Sequence, residues 1–258
     1  MINLKFAKIF FILFTVIFAV SSCGKDSGNS REQSGSDNSK GNESTATKEI
    51  NDSEISEKAN SDKSNLADGI SDLKFGKDLV PSFLKDENKI IEAVSWNDKL
   101  GENLIVITLT DERTIVGDER IKEFFVYHYI IKDTSAEVLW KSYDFIKDCP
   151  FDITLEFIDS SLTVTDLDGD DIAETSFMYK LSCRSDVSYD DLKLIMHEGH
   201  DKYAIRGEMI LKINDEDPSP GSMNIDDSFN KTKIIFKDFA IGQWNKFNKV
   251  FIGEKYEK

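Results

Sequence analysis

The acidic stretch at residues 166–174 is the sequence feature that most constrains how this chain folds. It lies between two strand-like runs, residues 162–165 and 175–181, so the chain must turn within it and return as a hairpin. Five of its nine residues carry carboxylates, which repel one another unless a cation lies among them. The sequence therefore leaves two interpretations open: a loop that wraps one hard cation, usually calcium, or a solvated acidic turn that binds nothing.

The N-terminal segment has the pattern of a secretory signal. Two lysines form a basic region, residues 9–20 are an almost unbroken apolar run, and small residues precede Cys23. The apolar run is shorter than the roughly 20 residues that a membrane span needs. The sequence Val20-Ser21-Ser22-Cys23 resembles the lipobox of bacterial lipoproteins, which implies cleavage before Cys23 and a lipid such as palmitate on the mature protein. We predict a lipoprotein signal peptide over residues 1–22, with an ordinary cleaved signal as the alternative.

The segment that follows Cys23 predicts where the folded part begins. Gly24, in a position where Asp would retain an enterobacterial lipoprotein at the inner membrane, favours the outer membrane, on its periplasmic face or at the cell surface. Residues 23–70 are rich in Ser, Asn, Asp, Glu, Lys and Gly, with too few apolar side chains to offset the entropy of ordering. We therefore predict a disordered tether over residues 23–70 and one globular domain over residues 71–258.

The two remaining cysteines predict a disulfide. With Cys23 lipidated, Cys149 and Cys183 are left in an oxidising compartment, where such a pair usually becomes oxidised. They bracket the acidic stretch, and closing that loop would stabilise the domain by roughly 3–4 kcal/mol in the chain-entropy model. A redox site is the alternative, but the sequence offers neither a CxxC motif nor an adjacent histidine.

The sequence predicts a mainly β fold for the domain: a single antiparallel β domain that resembles a sandwich or a propeller fragment. Short apolar, aromatic and β-branched runs recur between turn signals, with almost no amphipathic helix. A short polar segment, residues 185–191, suggests a short helix capped by Ser188. The remaining predicted strands are residues 90–96, 104–109, 124–131, 137–145, 153–158, 192–197, 203–213 and 234–239, with a final segment around 244–252.

The acidic stretch resembles the calcium loops of FG-GAP repeats in integrin-type propellers, which end at a ninth-position acid. It differs from an EF-hand loop, whose sixth residue is Gly and whose bidentate Glu is twelfth. The resemblance implies a structural calcium site, with Asp171 pointing outward. The implied ligands are the side chains of Asp166, Asp168, Asp170 and Glu174 and the carbonyl of Ile172.

The histidines and tryptophans could also form a binding site, but each has a simpler structural interpretation. His197 and His200 lie three apart, as zinc ligands do on a helix, but their surroundings predict a hairpin turn without a third ligand. His128, within an aromatic strand, is expected to be packed or solvent-facing. The tryptophans offer a sugar-stacking groove, although core packing is favoured in so β-rich a domain. They are Trp96, Trp140 and Trp244.

Charge and a second resemblance bear on function. The net charge of -16 and the pI near 4.7 argue against nucleic acid as a partner. Residues 166–206, including Phe177-Met178-Tyr179-Lys180-Leu181 and the run through Arg206, are similar to a Bacteroidota family labelled surface polysaccharide biosynthesis protein. That resemblance implies a role in the cell envelope but no reaction.

We therefore predict a lipid-anchored binding or accessory module that engages a glycan or an envelope protein. A protein-interaction or adhesion module is the first alternative, and a carboxylate-dependent glycan-active enzyme is the second. No catalytic constellation is evident in the sequence.

Overall fold

The computed structural model describes residues 69–115 and 117–253. The predicted signal peptide, the lipidation site Cys23 and nearly all of the predicted tether lie outside these residues. Within the described ranges, no helix is both long enough and apolar enough to cross a membrane.

The described chain is dominated by β-strands, as the sequence predicted. Three short 3-10 helices, Lys77–Leu79, Ser82–Leu84 and Asp227–Lys231, accompany one α-helix, α1, at Ile234–Phe247. The strands are β1 Ser71–Phe75, β2 Lys89–Asp98, β3 Gly101–Leu109, β4 Arg113–Thr114, β5 Arg120–Lys132, β6 Ser135–Cys149, β7 Asp152–Phe157, β8 Thr163–Thr165, β9 Glu174–Arg184, β10 Asp191–Glu198, β11 Asp201–Glu208, β12 Ile210–Ile213, β13 Asn224–Ile225 and β14 Lys249–Ile252.

The strands form two antiparallel sheets and one small parallel pair. Sheet one has the order β1-β2-β3-β5-β6, with β4 also paired to β5. Sheet two has the order β13-β11-β10-β9-β7, with β8 also paired to β9. Strands β12 and β14 form the parallel pair, on either side of α1 in the chain. Mainly antiparallel pairing confirms the predicted fold class.

Side chains alternate between the two faces along each strand, and this alternation determines how the sheets pack. In β5, Phe124, Val126 and His128 are buried, and the residues between them face the other side of the sheet. The buried set packs against sheet two, where Phe177 and Ile195 belong to the same apolar cluster. Two sheets with a shared apolar interior form a sandwich.

The opposite face of each sheet carries a further apolar cluster. On sheet two, Leu194 and Met196 pack with Phe236 and Trp244 of α1. On sheet one, the segment around Val80 covers part of the outer face. The rest of that outer face has no such cover among the described residues.

The disulfide between Cys149 and Cys183 is present, as predicted. It joins the end of β6 in sheet one to β9 in sheet two, at a sequence separation of 34. Because each cysteine belongs to a different sheet, the bond links the two halves of the sandwich covalently.

Two local predictions were wrong. Residues 234–239, predicted as a strand, begin α1, because Phe236, Ala240 and Trp244 recur at four-residue spacing and are buried against sheet two. Residues 185–191 form no helix: Ser188 donates its hydroxyl to Asp186 in a bend, and β10 begins at Asp191.

Candidate metal centre

The acidic stretch forms the connection between β8 and β9. These strands pair antiparallel, with Thr165 opposite Glu174, so the chain turns within residues 166–173 as predicted. Gly169 and Asp171 have positive φ angles of 73° and 68°, which lets the chain reverse within so few residues. Asp171 is exposed, in agreement with its predicted outward position.

Two of the predicted ligands also shape the loop. The Asp166 carboxylate accepts the backbone N–H groups of Gly169, Asp170 and Asp171, at 2.9, 3.1 and 3.3 Å. Asp170 accepts the Ile172 N–H at 2.9 Å. Side-chain bonds of this kind hold turns of Asp-rich sequence in place. The role of the Ile172 carbonyl as a ligand remains a prediction.

The other two predicted ligands are buried with unsatisfied oxygens. Asp168 has only 3% of its side chain exposed, and its Oδ1 atom has no hydrogen-bond partner among the described residues. Glu174 is fully buried: its Oε2 accepts the Leu167 N–H at 2.8 Å and the Thr165 hydroxyl at 3.1 Å, while Oε1 has no partner in that part of the chain. Unsatisfied buried carboxylate oxygens are costly, and a bound cation removes that cost.

The four predicted carboxylates lie in two overlapping groups. One oxygen each from Asp166, Asp168 and Glu174 lies within 4.8 Å of the others, and Asp168 and Asp170 form a second such group with Glu198. Both groups can hold a metal ion. Oxygen-only ligands favour a hard cation over zinc.

Glu198 was missed by the sequence reasoning. It ends β10 and lies directly opposite Glu174 of β9 in the strand register, so both side chains are on the face of sheet two that α1 covers. The predicted hairpin at residues 192–213 contained this residue, but only the register between β9 and β10 places it beside the loop. Like charges directly opposite one another on a sheet destabilise the pairing.

The local electrostatics reflect a deficit of positive charge. Burial raises the pKa of Glu174 to about 7, against the lowering effect of its hydrogen bonds to Leu167 and Thr165. Burial also raises the pKa of Glu198 to about 7, and the charges of Asp168 and Asp170 add to the effect.

One lysine contributes positive charge at the side of the centre. Lys233, immediately before α1, forms an ion pair with Asp168, which raises the pKa of its ammonium group. Within residues 69–115 and 117–253, no other lysine or arginine forms a salt bridge with any carboxylate of the two groups. The five carboxylates of the acidic centre are Asp166, Asp168, Asp170, Glu174 and Glu198.

The loop is anchored to sheet one through Asp98. The Asp98 carboxylate accepts the Ala173 N–H at 3.0 Å and the Trp96 indole N–H at 2.9 Å, both at Oδ2. The Asn103 amide donates to its other oxygen at 2.8 Å. The backbone N–H of Lys99 donates to the Asp171 carbonyl at 2.9 Å. The position of the loop is thus set by both sheets.

The alternative histidine and tryptophan sites lie elsewhere. His197 is buried between the sheets and stacks on Trp140 with ring centroids 3.9 Å apart, whereas His200 is exposed in the turn. Neither of the two carboxylate groups among the described residues contains a histidine. Trp96 and Trp244 are almost fully buried and Trp140 is 8% exposed, so the tryptophans are core residues. His128 is packed beside Asn103, whose side-chain oxygen lies 2.9 Å from Nε2.

A second candidate surface lies on the uncovered outer side of sheet one. Near-parallel rings line adjacent strands: Phe125 stacks on Tyr143 at 4.8 Å, and Tyr127 on Tyr129 at 5.7 Å, measured between ring centroids. Phe145 extends the row from Tyr143 at 5.4 Å. The residues of this aromatic face are Phe125, Tyr127, Tyr143 and Phe145, whereas Tyr129, at the end of the row, packs against the apolar cluster around Val80. The sequence reasoning recognised these strands but assigned their aromatic residues no role.

No family model, no curated protein and no solved structure matches this chain. The fold and the site define a two-sheet, disulfide-linked β domain with a half-buried acidic centre. The resemblances to FG-GAP loops and to the surface polysaccharide family stay predictions.

Proposed function

We propose that this chain is an outer-membrane lipoprotein whose β domain binds a glycan of the cell surface. The signal pattern ending at Cys23 supports export and lipid attachment, and the disulfide is consistent with an oxidising compartment. The observation that carries the binding role is the aromatic face.

The aromatic face has the chemistry that a sugar requires. A pyranose ring has an apolar C–H face and hydroxyl groups at its edge, so near-parallel aromatic rings with polar atoms beside them match both parts. Tyr143 and Phe145 are each 45% exposed. The Lys141 ammonium group lies 5.1 Å from the ring centroids of Phe125 and Tyr127 and supplies hydrogen-bond donors within the face.

A polar groove continues the surface beyond Phe125. It has a volume of about 520 Å³ and is lined by Thr110, Asp111, Arg113 and Glu123, among others. Glu123 accepts the Tyr143 hydroxyl at 2.8 Å and forms an ion pair with Arg113. A glycan chain that stacks on the rings therefore meets charged groups suited to its hydroxyls.

Binding assays on surface polysaccharide extracted from the native host, together with a glycan array, test this proposal. The full chain, purified in detergent, is compared with the double variant Tyr143→Ala/Phe145→Ala, and we expect affinity to fall at least about tenfold, or 1.4 kcal/mol. Tyr189→Ala removes a tyrosine of similar exposure (42%) outside the aromatic face and should bind normally. Absence of any glycan ligand for the wild type would refute the proposal, and capture of one envelope protein through the same face would replace it.

We further propose that the acidic centre holds calcium as a structural ion. The support is the set of oxygen-only ligands and the unsatisfied oxygens of Asp168 and Glu174. At a calcium concentration of 100 times Kd, binding adds about 2.7 kcal/mol of stability, which for a domain of this size raises Tm by roughly 5–11 °C.

Thermal melts with calcium and with excess chelator test the calcium proposal. Asp168→Asn/Asp170→Asn should abolish the calcium-dependent rise in Tm, whereas Asp171→Asn, which changes an exposed carboxylate of the same loop, should keep it. An identical Tm with calcium and with chelator in the wild type would show that the loop is a bare acidic turn.

The lipid anchor is tested separately. In a bacterial host fed an alkyne fatty acid, the wild-type chain should take up the label and fractionate with the outer membrane. Cys23→Ser should do neither. Labelling of the Cys23→Ser chain, or an unlabelled wild type, would contradict the proposed anchor.

A further inference from the structure

The acidic centre includes a carboxylate from outside the loop that the sequence singled out. One oxygen of Glu198 lies within 4.8 Å of oxygens from Asp168 and Asp170. Glu198 belongs to β10 and precedes the turn to β11, whereas the two aspartates belong to the connection between β8 and β9. Two hairpins that are separate in sequence thus present carboxylates to one point.

The burial of Asp168 independently points to a ligand beside its second carboxylate oxygen. The Asp168 side chain is only 3% exposed, and its Oδ1 atom has no hydrogen-bond donor among the described residues. Lys233 contacts the other oxygen, Oδ2, so it leaves Oδ1 unsatisfied. Because Asp168 belongs to both carboxylate groups, an ion beside it is within reach of Glu198 as well as of the loop.

The strand register strengthens the argument. Glu198 and Glu174 are directly opposed on β10 and β9, and both are close to Asp168. Two carboxylates opposed in a sheet repel each other, and no described lysine or arginine forms a salt bridge with either. A divalent cation bound by Glu198 removes this repulsion.

We infer that Glu198 is a ligand of a divalent cation together with Asp168 and Asp170, so that the ion clamps the β8–β9 loop to the β10–β11 hairpin. This inference rests on the proposed calcium site and extends it from a single-loop site to one built from two hairpins. A site of this kind stabilises the packing of both hairpins beside α1, because Lys233 at the start of that helix contacts the same Asp168.

Calcium titration calorimetry on the full chain in detergent tests this inference, with the variants Glu198→Gln and Glu216→Gln. Glu216 is an exposed glutamate in the loop after β12 and serves as the matched control. We expect Glu198→Gln to weaken calcium binding at least tenfold and Glu216→Gln to leave it within twofold of the wild type.

A second measurement separates ligand loss from misfolding. In excess chelator, Glu198→Gln should melt at the same temperature as the wild type or higher, because it removes one of two opposed charges. Wild-type affinity for calcium in Glu198→Gln would overturn the inference and leave the proposed calcium loop intact. A wild type that binds no calcium would overturn both.

Discussion

Loss of the disulfide between Cys149 and Cys183 should lower the free energy of unfolding of this domain by an amount set by the length of the loop that the bond closes. The bond closes a loop of 34 residues, for which the chain-entropy model gives a stabilisation of roughly 4 kcal/mol. A folded domain of this size loses about 2–4 °C of Tm per kcal/mol, so the expected fall is roughly 8–16 °C. The bond is also a covalent link between the two sheets, so its loss should favour their separation.

The test compares thermal melts of the oxidised wild type, the wild type in excess reductant, and the double variant Cys149→Ala/Cys183→Ala. The reduced wild type keeps both sulfur atoms and therefore isolates the effect of the crosslink. Cys149 is buried, so the alanine variant also loses packing and should melt somewhat lower. The alanine variant should not respond to reductant. A shift below about 2 °C on complete reduction would refute the reasoning.

Three further predictions concern the core, pH and a close backbone contact. Phe177→Ala, at a fully buried ring, should cost about 3–5 kcal/mol in urea unfolding. Burial lowers the pKa of His128 to about 4 and of His197 to about 3, so the unfolded chain binds more protons below pH 6.5. Each of these histidines should therefore lower the stability in urea between pH 7 and pH 5, with a slope approaching about 1.4 kcal/mol per pH unit, whereas the raised pKa values of Glu174 and Glu198 act in the opposite direction over the same range. The contribution of His197 is therefore measured as the difference in pH dependence between the wild type and His197→Gln. Gly207→Ala should lower Tm, because its Cβ would lie 2.1 Å from the Ser222 carbonyl oxygen.

Controls for these three predictions come from the same chain. Phe151→Ala removes a ring that is 47% exposed and should cost far less than Phe177→Ala. His200→Gln changes the exposed histidine and should keep the wild-type pH dependence, whereas His197→Gln should become more stable relative to the wild type as the pH falls from 7 to 5. Gly242→Ala has no atom within 4 Å of the new Cβ and should not lower Tm. Equal effects in any control and its test variant would contradict the corresponding argument.

The strands of the sandwich were predictable because their pattern is local. Residues 104–109 form a continuous run of β-branched and apolar residues, and β5 carries aromatic and β-branched residues between turn signals, so neighbouring sequence alone identified both strands. The disulfide was predictable for a similar reason, since the predicted domain contains two cysteines and they allow one pairing.

Tertiary packing decided what the sequence could not show. The Ile-Ile-Phe run at the start of α1 has strand propensity, but burial of Phe236 and Trp244 on one side requires a helix. In the same way, Glu198 joins the acidic centre only through its register with Glu174. Neither signal exists within a short window of sequence, because each depends on a partner distant in the chain.

The hydrogen bond from the Ala173 amide to Asp98 also means that deuterium exchange at this one amide reports on contact between the two sheets. The Ala173 N–H donates to a side chain of sheet one, not to a neighbouring strand, so its exchange with deuterium depends on that junction. The Lys99 N–H donates to the Asp171 carbonyl, so its exchange rate reports on the same contact. If both amides exchange faster than those within β9, the sheets separate locally while each remains folded.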